Sequence, residues 1–73
     1  MVRCKSVIRM KVDRMHAYFE ALFSAYPSEQ DILDAQMAQH YHPSGYGGPT
    51  ILLVERMDAT TYRVEFRCSA SCE

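Results

Sequence analysis

With 73 residues, 48% of them hydrophobic and 23% charged, the chain has room for a single domain and lies far from the composition that keeps chains disordered. Its longest uninterrupted apolar run, Ile51-Leu52-Leu53-Val54, is far too short to span a bilayer, so no membrane partner is expected. The net charge of −1 hides an uneven distribution: residues 1–12 carry Arg3, Lys5, Arg9 and Lys11 with no acid, whereas 13–54 set Asp13, Glu20, Glu29, Asp31 and Asp34 against the single base Arg14.

Residues 2–12 read as a strand. The four cations all fall on odd numbers, so the alternation of a pleated segment lines them along one side and leaves Val2, Cys4, Ile8, Met10 and Val12 on the other. Asp13 then has the character of a helix N-cap. Met15, Tyr18, Phe19, Leu22, Phe23 and Tyr26 follow at three-and-four spacing, which predicts an amphipathic helix ending before Pro27.

Ser28-Glu29-Gln30-Asp31 has the form of a capping box with Asp in place of the usual Glu or Gln. It predicts a second helix from about 29 to about 41, burying Leu33, Met37, Ile32 and Tyr41. Pro43 ends it, and Ser44 to Pro49 reads as an irregular loop. Two strands close the chain, one from Thr50 to about Met57 and one over 62–68, joined by a turn at Asp58-Ala59-Thr60. The expected fold is one α+β domain over residues 1–73. It has two layers in the order strand-helix-helix-strand-strand, with both helices on one face of a three-stranded, mostly antiparallel sheet. The strand at 50–57 is apolar on both sides in its first half, which predicts the central position.

That arrangement leaves one sheet face bare, and parity places Arg3, Lys5, Val7, Arg9, Lys11, Leu52, Val54, Arg56, Arg63, Glu65 and Arg67 on it. A basic rim around Val7, Leu52 and Val54 offers a contact patch, although three surface apolar groups also occur on proteins that bind nothing. Nucleic acid is one partner such a face suggests. Against it stand a pI near 6.3 and the lack of an outward aromatic for stacking bases. The element order resembles that of K-homology domains and of the later part of winged helices. The first fold uses a Gly-x-x-Gly loop where this chain has Tyr26-Pro27-Ser28-Glu29, and the second would turn Glu29, Asp31 and Asp34 toward phosphates.

Other chemistries find less support. His40-x-His42 and Cys68-x₃-Cys72 supply four possible ligands without the paired tight turns of a structural zinc site, so no metal or cofactor is expected, and Cys4 and Cys68 read as small buried apolar groups. A Cys/His pair needs a cleft that a two-layer domain of this size does not offer, so no enzyme is expected. An odd cysteine count and the lack of a recognisable leader at the start of the sequence lead to a cytoplasmic expectation. In the loop from His40 to Pro49, Tyr46 either caps the core or meets a partner.

The composite expectation is a non-catalytic module whose partner is a protein. It would use either an acidic helical side displaying Glu20, Glu29, Asp31 and Asp34 or the basic sheet face, and the alternative is nucleic-acid binding by that same face. Size and charge alone compare it with the small inhibitors of phages and mobile elements. A homodimer through Val7, Leu52 and Val54 would work against like charge at the rim unless Glu65 compensated.

Overall fold

A computed structural model describes residues 2–41 and 48–69. They form β1 (Cys4–Val12), β2 (His16–Phe23), α1 (Glu29–Ala38), β3 (Thr50–Asp58) and β4 (Thr61–Ser69). All strand pairs are antiparallel in one sheet of order β1-β2-β4-β3. The α+β class and the one-sided helical cover are as expected; the counts are not, since there are four strands and one helix among the described residues.

The difference lies at 16–23, expected to be helical. Here side chains alternate strictly: Ala17, Phe19, Ala21 and Phe23 are buried, and His16, Tyr18, Glu20 and Leu22 are half-buried on the far side. The doublets Tyr18-Phe19 and Leu22-Phe23 satisfy a helical stripe and a pleated alternation equally well. Pairing decides between them, because β2 matches β4 along its whole length: Ala17 opposite Cys68, Phe19 opposite Phe66, Ala21 opposite Val64 and Phe23 opposite Tyr62. The Phe19 and Phe66 rings stack at 5.3 Å between centroids, a cross-strand aromatic pair of the kind that fixes sheet register.

Asp13 begins a hairpin rather than a helix. Its Oδ1 accepts from the amides of Met15 (2.9 Å) and His16 (2.7 Å), and its own amide donates to the His16 carbonyl at 2.9 Å. Accepting from the second and third amides ahead is what an N-cap does too. The β3–β4 turn repeats the device, with Asp58 Oδ1 accepting from the Thr60 amide at 2.8 Å.

The capping box is present as expected. Ser28 Oγ accepts from the Asp31 amide, and Asp31 Oδ2 accepts from the Ser28 amide at 2.8 Å. The helix stops at Ala38, short of the expected 41, in a Schellman arrangement: the His40 amide donates to the Met37 carbonyl and the Tyr41 amide to the Gln36 carbonyl. His40 takes the left-handed position at φ 68°, where a glycine is usual. On the core side α1 buries Ile32, Ala35 and Gln36, whereas Met37 is exposed. Ile32 and Ala35 join Phe19, Phe23, Val64 and Phe66 in one buried cluster.

Strand β3, expected at the centre, is an edge, and β1 is the other. Each edge carries two register irregularities, in β1 between Cys4 and Ser6 and between Arg9 and Lys11, in β3 between Ile51 and Leu53 and between Arg56 and Asp58. Each extra residue reverses the facing of everything beyond it.

Two outcomes follow from this architecture. Phe19→Ala costs about 3–5 kcal/mol in urea denaturation while Leu22→Ala costs far less, where a helical stripe would make the two comparable. Backbone amides, His16 first for Asp13 and Thr60 for Asp58, hold both turn carboxyls below their ordinary value. Their stabilisation is complete above the unfolded pKa of about 3.9 and is lost as pH falls through the lower folded values. Thermal melts of Asp13→Ala and Asp58→Ala therefore show a shallower acid-side decline than wild type.

Candidate interaction surfaces

The bulges dissolve the expected basic platform. Arg9 stands opposite Phe19 on the helix side, and its Nη1 donates to the Tyr41 hydroxyl at 3.3 Å. Lys11, one bulge later, pairs with Tyr18 on the open side and sets its Nζ 4.8 Å from that ring's centroid. Lys5 Nζ donates to the Thr60 carbonyl and to Thr61 Oγ1, both at 2.8 Å, clasping the β3–β4 turn. Arg3 precedes β1, tied through its backbone to Ser24. Val7, Val54 and Arg56 pair with Ala21, Val64 and Tyr62, which puts them on the helix side rather than the open one. Of the sheet-face set, Lys11, Arg63, Glu65 and Arg67 do share the open face, and Leu52 lies at a bulge.

At the centre of that face is an ion network the sequence reading did not contain. Glu20 and Glu65 are directly opposed across β2 and β4, a like-charge pair that is unfavourable alone. Arg63 resolves it. Its Nη1 lies 2.5 Å from Glu20 Oε2 and 2.6 Å from Glu65 Oε2, while Nη2 lies 3.0 Å from Glu55 Oε1 on β3. Hydrogen bonds donated to Glu20, then to Glu65 and Glu55, raise the guanidinium pKa further above its already high value, so the charge is permanent. One arginine thus ties three strands, and the middle of the open face carries more acid than base.

The acidic side is divided as well. Glu20 belongs to this network, whereas Glu29, Asp31 and Asp34 are on α1. Asp31 is engaged by Ser28, and Asp34 accepts from Gln30 Nε2 at 2.9 Å. Asp31 and Asp34 border a groove of about 360 Å³ between α1 and β1, floored by Val7, Phe23 and Ala35. Tyr46, His42 and Cys72 lie outside the described residues. Partial desolvation raises the thiol pKa of both Cys4 and Cys68, favouring the protonated form. Cys68 is buried and Cys4 is exposed, contrary to the expectation that both are interior. No cluster of three or more potential metal ligands occurs among the described residues, and no described helix is long and apolar enough to cross a membrane.

The largest unassigned feature is the β3 edge. Ile51, Leu52, Leu53 and Met57 are 42%, 46%, 43% and 54% exposed, on a strand whose outer side has no strand neighbour among the described residues. The apolar run was visible in the sequence, but its double-sided character signalled an interior strand. Nothing local to residues 50–58 marks the side that lacks a partner. On β1, Ile8, Met10 and Val12 are similarly exposed, interleaved there with Lys5, Arg9 and Lys11. Basic side chains and bulges guard β1 against edge pairing; β3 has bulges but only Arg56 as a cation.

Comparison with family models, with curated proteins and with solved structures returns no match to this chain.

Replacing Arg63 with Met leaves Glu20, Glu55 and Glu65 facing one another. The variant melts below wild type at pH 7, and the gap narrows as the pH is made acid, because protonation relieves the mutual repulsion of the carboxylates. A gap independent of pH, measured by thermal denaturation from neutral to acid, contradicts the network's role.

Proposed function

We propose that the chain is a non-catalytic protein-interaction module that engages its partner by strand addition along β3. The observation that carries this reading is that four large apolar side chains of one edge strand, on both of its faces, are each more than two-fifths exposed. An added strand satisfies the unpaired amides and carbonyls of such an edge and covers its apolar side chains in the same step. The other surfaces offer less. Among the basic side chains Lys5, Arg9, Lys11 and Arg63 already have partners within the chain, and the open face is centred on carboxylates, a poor surface for phosphates.

The test compares proteins captured from host extract by immobilised wild type, by Leu52→Lys with Met57→Lys, and by Lys5→Glu with Lys11→Glu. Both β3 positions are exposed and lie at the register irregularities, so the circular dichroism spectrum is retained. The β3 variant loses the captured proteins and the β1 variant keeps them. Capture that survives the β3 changes but disappears with the β1 changes, or with moderate salt and nuclease, favours nucleic acid and defeats the reading.

A further inference from the structure

The facing pattern of β3 is nearly its own mirror about Val54, the middle of its nine residues. Thr50, Leu53, Glu55 and Asp58 pair with Arg67, Glu65, Arg63 and Thr61, whereas Ile51, Val54 and Arg56 pair with Phe66, Val64 and Tyr62. Two residues separate Thr50 from Leu53, and two separate Glu55 from Asp58, because one irregularity falls in each interval. A two-fold axis through Val54 therefore carries the first group onto itself and sets the stretch 51–52, with its irregularity, against the other strand's 56–57.

We propose that the occupant of this edge is a second copy of the chain, its β3 antiparallel to the first and centred on Val54. The result is a closed dimer with one eight-stranded sheet. This inference rests on the strand-addition reading and adds the identity of the partner. Charge supports it. In this register Leu53 meets the partner's Glu55, Leu52 the partner's Arg56, Ile51 the partner's Met57 and Thr50 the partner's Asp58, so no like charges are opposed. Glu55, the carboxylate nearest the axis, is already compensated by Arg63 at 3.0 Å. The same operation on β1, centred on Ile8, sets Lys5 against the partner's Lys11 twice, which disfavours pairing at that edge. The contact is isologous and closes at two copies.

Sedimentation equilibrium from about 1 µM to about 1 mM tests it, across the affinity range of modest interfaces. Wild type passes from the 8.4 kDa chain to twice that mass and stops. Leu52→Lys opposes a cation to the partner's Arg56 on both sides of the axis and weakens dimerisation roughly tenfold or more, whereas Leu52→Glu, meeting the same arginine with a carboxylate, stays within a fewfold of wild type. A monomer at every concentration, equal weakening by both variants, or growth beyond the dimer overturns the inference. A wild-type monomer whose capture of another protein still depends on Leu52 and Met57 defeats only the self-pairing. If capture is independent of them too, strand addition fails with it.

Discussion

The pairing of β2 with β4 is the constraint on which the remaining structure rests. Among the described residues it is the only ladder flanked on both sides by further strands, and its two faces solve different problems. Toward the helix, Phe19 and Phe66 stack and Ala17, Ala21, Val64 and Cys68 are removed from water. Toward the open side, the same register forces Glu20 opposite Glu65. A shift of one residue would expose the phenylalanines, so the carboxylate opposition cannot be relieved by slipping. Arg63 is the local answer to it, reaching both carboxylates from within β4 and extending to Glu55 on β3.

Around this ladder the small size of the domain is felt at the edges. One ten-residue helix cannot cover a four-stranded sheet. It seals the middle with Ile32 and Ala35 and leaves large apolar side chains exposed along both outer strands. The edges manage that exposure differently. Strand β1 sets basic side chains among its apolar ones, and those cations are tied to neighbouring elements through Tyr41, Tyr18 and the β3–β4 turn. Strand β3 has its charged residues in its second half and an apolar first half, the feature on which the proposed strand addition rests.

Much of the fold could be read from residue order. The opening strand, the capping box at Ser28, the two closing strands and the turn at Asp58 follow from local chemistry and appear where expected. The strand at 16–23 was not legible, because aromatic and apolar doublets fit both periods and because an aspartate accepting two forward amides serves a hairpin as well as a helix. Once one helix is replaced by a strand, Thr50–Asp58 moves from the centre of the sheet to its rim. The candidate site was less legible still. Parity arguments assume an unbroken pleat, and one extra residue at each irregularity sends Arg9, Val54 and Arg56 to the side opposite the one parity assigns. Bulges respond to the partner strand, and a single segment carries no record of that partner.

Amide hydrogen exchange at two protein concentrations tests both the dominance of the β2–β4 ladder and the covering of β3, since it reports strand by strand which backbone groups are bonded. The account requires the slowest exchange in β2 and β4 at both concentrations, with β3 alone gaining protection as concentration rises and β1 unchanged. Protection of β3 that is the same at both concentrations, or a most-protected segment outside the β2–β4 ladder, contradicts it.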